Sequence, residues 1–254
     1  MSLSSYLNYY FKSKTKYQIH SPFVFDFVQE VLEDQRNYYY FNTIKHFIKK
    51  IGSDTTPIKD SLTGKNSKVS AVAREQYLSP SIGQLLFKTI NHYQPNIVLE
   101  FGTGLGLNTL YQCTPSTSIL FHTFEASSAF AQVAQENFQI LGIRHVHLHA
   151  GPIEANATSL LSTLSAPDYL FINCELPISF LQTLLVASHS KSMFIVNKPH
   201  TKGKTHWNWL CQQEAITLTI DLYDIGIAFK RIEQKETAHF SLIKNIKKPW
   251  AVFW

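Results

Sequence analysis

The stretch Ile97-Val98-Leu99-Glu100-Phe101-Gly102-Thr103-Gly104-Leu105-Gly106-Leu107-Asn108 decides the fold. Ile97, Val98 and Leu99 form a short apolar run of the kind buried on both faces of a parallel sheet. Three glycines at alternate positions then let the backbone turn tightly and approach a ligand without side chains in the way. Asn108-Thr109-Leu110-Tyr111 starts a helix whose first amides point back at the loop, an end that attracts carboxylates and phosphates. A dinucleotide fingerprint is spaced G-x-G-x-x-G. Here the third glycine, Gly106, comes too early for that spacing.

On the C-terminal side, strand and helix patterns alternate, which means a parallel sheet with crossover helices. Strands are expected at 119–124, 146–149, 169–172 and 192–196. Helices are expected at 128–141, 158–164, 180–189 and 205–213, with Gly142 stopping the first of them. Short strands at 216–223, 226–231 and 239–243 joined by turns fit an antiparallel edge. On the N-terminal side, residues 3–11 repeat at helical spacing, Ser21-Pro22 caps and opens a second helix, and 38–51 carries an apolar stripe. Residues 52–68 shift to Ser, Thr, Asp, Gly and Lys, and read as a linker or mobile loop where a lid would sit. Val69–Tyr77 and a helix from Ser79-Pro80-Ser81 to His92 follow, before Gln94-Pro95-Asn96 delivers the chain to the central strand.

The 254 residues suit one large domain or a domain with an extension. A hydrophobic share of 44% supports a sizeable core, and 16% charged residues exclude a disordered chain. A net charge of +5 is mildly basic and gives little reason to expect nucleic acid. Cys113, Cys174 and Cys211 show neither C-x-x-C nor metal spacing, which reads as reduced thiols in a cytoplasmic protein. Met1–Phe11 lacks the basic start and apolar core of a signal peptide, and no apolar run reaches membrane-spanning length. No membrane partner is expected.

Strand ends are where ligands bind in such sheets. The first offers Glu100 and the glycine loop. The second offers Glu125, 19 residues after Gly106, and a carboxylate there can accept both hydroxyls of a ribose. The third offers Gly151 to Glu154, and the fourth Asn173. The form Glu100-x-Gly102-x-Gly104-x-Gly106 resembles the first motif of the class I S-adenosylmethionine-dependent methyltransferases. Ser81-Ile82-Gly83-Gln84-Leu85-Leu86, Asp168-Tyr169-Leu170-Phe171-Ile172-Asn173 and Phe194-Ile195-Val196-Asn197 look like the small-molecule O-methyltransferase branch. The resemblance covers about residues 80–245. Residues 1–75, with Ile19-His20-Ser21-Pro22-Phe23-Val24-Phe25, look like a helical extension of uncharacterised bacterial members of Bacteroidetes type.

The resemblance implies a Rossmann-like α/β fold with a mostly parallel seven-stranded sheet and an antiparallel edge. It implies a helical extension over 1–78 and a cofactor domain over 79–254. The cofactor is S-adenosylmethionine, held by Glu100, Gly102, Thr103, Gly104, Gly106, Glu125, Ala126, Gly151, Pro152 and Asn173. Glu100 would hold the amino group, the helix amides the carboxylate, Glu125 the ribose, and Gly151-Pro152 would lie by the adenine. The expected partner is a small-molecule methyl acceptor, and a homodimer is among the expected assemblies.

One departure matters. Metal-dependent members end the fourth strand in Asp and carry Asp-Asn after the fifth. This chain has Asn173 and Asn197-Lys198, weaker ligands for a hard cation, so no catalytic metal is expected. Methyl transfer is an in-line displacement, for which alignment supplies roughly 7–11 kcal/mol of the barrier. A hydroxyl acceptor then needs a base. His200, His206 and Glu175 at the strand tips are the candidates. His145-x-His147-x-His149 reads as a strand face rather than a metal triad. Two other outcomes compete with a small-molecule enzyme: a catalytically silent interaction protein, favoured by the lost Asp residues, and an RNA or protein methyltransferase. The net charge supports the latter, but no Asn-Pro-Pro-Tyr-type motif follows the fourth strand, which continues Asn173-Cys174-Glu175-Leu176.

Overall fold

Backbone packing in the computed structural model divides the chain into two compact units, residues 1–35 with 168–254 and residues 36–167. The structure describes residues 3–231 and 237–248; residues 232–236 and 249–254 of the expected cofactor domain, and 1–2 of the expected extension, lie outside these. In the first unit the chain opens with helix α1 (Leu3–Lys12) and helix α2 (Pro22–Phe27). Ser21 caps α2 as its sequence suggests, its Oγ accepting from the Val24 amide at 3.4 Å. The helix then widens into a π turn over Val28–Leu32, closed by Glu33 N donating to Val28 O.

The second unit holds α3 (Tyr39–Ile51), strands β1 (Pro57–Lys59) and β2 (Asn66–Lys68), α4 (Val69–Gln76) and α5 (Pro80–Tyr93). Then come β3 (Ile97–Phe101), α6 (Leu107–Cys113), β4 (Leu120–Glu125), α7 (Ser128–Ile140), β5 (Val146–Ala150) and α8 (Ile153–Leu161). Strands β3, β4 and β5 lie side by side in sequence order, all parallel, with Leu99 opposite His122 and Phe124 opposite His149. Every residue of β3 is buried, as its unbroken apolar run requires. The faces of α3, α4, α6 and α7 close one core around Phe41, Phe47, Val72, Leu110, Tyr111 and Phe138.

Two expectations are corrected in this unit. Residues 52–68 are not an open loop: they fold into the antiparallel hairpin β1–β2, with Pro57 opposite Lys68 and Lys59 opposite Asn66. Burial of Ile58 against the core of α3 and α4 anchors it. Helix α8 begins at Ile153, five residues before the expected start at 158, because Pro152 cannot extend β5 and its fixed φ suits a helix entry.

The first unit resumes with β6 (Tyr169–Ile172), α9 (Ile178–Ala187), β7 (Met193–Asn197), α10 (Lys204–Cys211), β8 (Leu218–Asp221), β9 (Ile225–Phe229) and β10 (Ala238–Ser241). Its strands run in the order β6-β7-β9-β8-β10. Strand β9 is antiparallel to both neighbours, whereas β10 pairs parallel to β8. The antiparallel character therefore sits inside the group, and the edge itself is parallel. The end of β10 is tied down by Lys14 N donating to Ser241 O and Ile243 N donating to Lys14 O. Apart from the hairpin β1–β2, three strands of one unit and five of the other make eight strands of a mostly parallel α/β architecture among the described residues, against seven expected.

Candidate functional site

Strand β3 delivers the chain into Gly102–Gly106, and the loop is held almost wholly by its own amides. Gly102 N and Thr103 N donate to Phe124 O at 2.9 and 3.2 Å. Gly104 N donates to Glu125 Oε2 at 2.7 Å, Leu105 N to Gln76 Oε1 at 3.1 Å, and Gly106 N to Thr103 O at 3.0 Å. None of these five amides is left over for an anion. Glycine is demanded at two points. Gly104 has φ +58°, and a Cβ there would collide with the Gln76 amide; Gly106 has φ +79°, and its Cβ would come within 2.7 Å of the Phe138 ring.

Glu100 lies beneath this loop with no exposure at all. Its carboxylate accepts from Thr109 Oγ1 at 2.6 Å, Gln112 Nε2 at 2.8 Å and Thr123 Oγ1 at 2.8 Å. Burial pushes its pKa up to about 7, although these three donors pull it down. Thr103 joins the same network, its hydroxyl 2.5 Å from that of Thr123. Glu100 thus ties β3, β4 and α6 together and shapes the loop from below.

Glu125 is different. It ends β4, is 8% exposed, and accepts Gly104 N on one oxygen and Ser127 N on the other at 2.9 Å. Burial raises its pKa and the nearby Asp60 adds to this, while the Ser127, Gly104 and Ala126 amides lower it. At the end of β5, Gly151 N donates to Glu125 O at 2.9 Å, and Asn156 Nδ2 reaches back to Ala150 O at 3.1 Å as Pro152 turns the chain into α8. The carboxyl ends of β3, β4 and β5 therefore bring Gly102, Thr103, Gly104, Gly106, Glu125, Ala126, Gly151 and Pro152 together.

Three further residues hold this corner: Gln76 and Ser61, which carry no sequence motif, and Asn108, which closes the glycine stretch but has no bonding role assigned by it. Gln76 caps the loop as described. Asn108 bridges it to the end of α4, its Oδ1 accepting Leu78 N and its Nδ2 donating to Gln76 O, each at 3.0 Å. Ser61, in the β1–β2 turn, bonds to the turn after Glu125. The only hint in the sequence is the run of polar residues in which Ser61 stands.

In the first unit, Asn173 follows β6 and its Oδ1 accepts from Asn197 Nδ2 at 2.7 Å. His200 Nε2 lies 2.8 Å from Asp221 Oδ2, with its ring stacked on Tyr223 at 5.0 Å. His206 is buried, its Nε2 2.8 Å from Leu176 O, and Glu175 is exposed. The histidines of β5 do share a face, joined by one from β4: His122 Nδ1 lies 2.9 Å from His149 Nε2, and His122 stacks on His147 at 5.0 Å. His145, just before the strand, instead bonds Cys113 O.

No family model and no curated protein matches this sequence. Solved structures match its fold. An O-methyltransferase from Bacillus cereus in complex with SAH is 17% identical, with 82% of this chain and 97% of that one covered at a TM-score of 0.57. TomG from Streptomyces achromogenes, an O-methyltransferase of tomaymycin synthesis in complex with SAM, is 16% identical over 77% and 91% of the chains at 0.53. SAH-bound PaMTH1 from Podospora anserina, a methyltransferase, is 15% identical over 78% and 99% at 0.52. At such identities the likeness is one of architecture: the chain has the class I methyltransferase fold of the O-methyltransferase type. Among the described residues, no helix is long and apolar enough to cross a membrane.

Proposed function

We propose that this chain is an S-adenosylmethionine-dependent methyltransferase acting on a small molecule without a catalytic metal. The observation that carries this reading is Glu125. It is a nearly buried carboxylate that ends the strand beside the glycine loop and retains acceptor capacity beyond the two amides it binds. A ribose diol is the kind of group that satisfies it. Glu100, fully enclosed, serves by fixing the loop rather than by touching a ligand. Gly102, Thr103, Gly104 and Gly106 form the floor, and Ala126, Gly151 and Pro152 take the nucleoside side. Asn173 keeps the assignment that the resemblance gives it, toward the methionine part and the acceptor.

When bound, S-adenosylmethionine supplies an electrophilic methyl group on a sulfonium sulfur. The neutral residues Asn173 and Asn197, hydrogen-bonded to each other, do not fit a hard divalent cation. A hydroxyl acceptor would then lose its proton to a side chain. Of the three strand-tip candidates, His206 is bound to the Leu176 backbone and Glu175 is exposed, whereas His200 is oriented by the Asp221 carboxylate. The cofactor domain is proposed to span 79–254 and the helical extension 1–78, in a cytoplasmic enzyme that forms a homodimer.

The test is methyl transfer. Methyl-labelled S-adenosylmethionine is incubated with the protein and with separated small-molecule, RNA and protein fractions of a bacterial extract. Label in the small-molecule fraction is the expected result. Label in RNA or protein would replace the acceptor class, and no transfer to any fraction would support a silent fold.

A further inference from the structure

The hairpin β1–β2 is built with more care than its composition suggests. Asp60 N donates to Lys65 O and Gly64 N to Asp60 O across the turn. Both Asp60 carboxylate oxygens are used inside it, one accepting Leu62 N at 3.0 Å and the other Thr63 Oγ1 at 2.6 Å. Ser61 is what the turn presents outward. Its amide donates to Ser127 Oγ at 3.1 Å, its Oγ accepts Ala129 N at 3.0 Å, and the same Oγ lies 2.9 Å from Ser128 Oγ. Ser127 is the N-cap of α7, yet its own hydroxyl makes no cap bond within that helix. The Ala129 amide is served instead by Ser61, which stands 68 residues earlier in the chain. Ser127 N is also one of the two amides on the Glu125 carboxylate. One residue, Ser127, therefore links the hairpin tip to that carboxylate.

A helix whose Ala129 amide is capped from a separate hairpin holds its first turn when that hairpin is seated. We propose that the hairpin Pro57–Lys68 is a lid over the nucleoside half of the cofactor site, and that Ser61 is its latch and a positioning residue for Glu125. The inference rests on the cofactor reading above. Asp60 stands beside Ser61 in the turn that binds Ser127, and its charge adds to the upward push on the Glu125 pKa; two carboxylates at this corner disfavour a phosphate on the ribose. Seating the lid orders the turn that carries the carboxylate, so ligand binding and lid closure assist each other.

The test uses the full chain with S-adenosylhomocysteine and with adenosine, which lacks the amino-acid part. Binding is measured by calorimetry on the wild type, Ser61→Ala, Ser61→Thr and Glu125→Ala. Amide hydrogen exchange is followed with and without S-adenosylhomocysteine. The lid predicts slower exchange across 57–68 on binding. It predicts that Ser61→Ala weakens both ligands by the same factor, about five- to tenfold for one lost hydrogen-bonding group, and that Ser61→Thr, which keeps the hydroxyl, restores binding. If the wild type binds and Glu125→Ala does not, while Ser61→Ala binds normally and exchange in the hairpin is unchanged, the lid is wrong and the cofactor site stands. If the wild type binds neither ligand, or Glu125→Ala binds as tightly as the wild type, both readings fall.

Discussion

Two carboxylates, Glu100 and Glu125, stand 25 residues apart in sequence and do opposite work. Glu100 is enclosed and pushed up to about 7, so its charge is disfavoured in the folded state. An unfolded chain releases that proton near the ordinary carboxylate value. Between about pH 4.5 and 7 the folded state therefore holds more protons, and stability falls as pH rises, by at most about 3 kcal/mol. Glu100→Gln should abolish this slope and raise stability at pH 8, as read from urea melts at several pH values. The amide is tolerable because Gln112 Oε1, buried without a hydrogen-bond partner, can rotate to receive its N–H. The sequence marked both glutamates by their distance from the glycines. It could not tell which of them faces a ligand, because spacing fixes position along a strand and not what surrounds the side chain. Gln76, Asn108 and Ser61 were invisible for a related reason: each bonds across at least 29 residues of chain, and a lone polar residue at a helix end or turn reads as solvated.

Among the elements, strands and helices announced themselves where apolar periodicity was strong, as in β3, α3 and α7. The hairpin β1–β2 did not, since its strands have three residues each and Ile58 is its one buried side chain. Helix α6 gives a sharp test of loop packing. Gly106→Ala must place a methyl against Phe138 at a left-handed φ, which should cost about 3 kcal/mol from strain and overpacking together, measurable as a lowered urea midpoint. The histidine ladder of β4 and β5 gives a test with the opposite sign to Glu100. Burial and the neighbouring His149 and His147 hold His122 down at about 4. An unfolded chain takes up that proton near 6.5, so stability drops as pH falls from 6.5 toward 4, by at most about 3 kcal/mol. His122→Phe should remove this loss. The two contributions oppose each other over the same range, so Glu100→Gln should steepen the acid loss of the protein and His122→Phe should reverse it.

For the molecule as a whole, the alternation of strand and helix was enough to infer an α/β architecture and the strand ends that carry the site. The parallel edge strand β10 was not legible, because strand direction depends on how the chain returns and not on the residues of the strand. The net charge of +5 is mildly basic and by itself gives a polyanionic partner little weight. A ligand that binds only the folded state stabilises it by about 2.7 kcal/mol at a hundredfold excess over its dissociation constant. For a chain of this length that is a rise in melting temperature of roughly 5–10 °C. S-adenosylhomocysteine should produce such a shift, and Glu125→Ala should cancel it. The most direct measurement is calorimetric titration of the wild type and of Glu125→Ala with S-adenosylmethionine. Micromolar binding to the wild type and a loss of about a hundredfold in the variant, from two hydrogen bonds to a charged group, are the expected result. Absence of heat from the wild type at millimolar ligand, or equal binding by the variant, would contradict it.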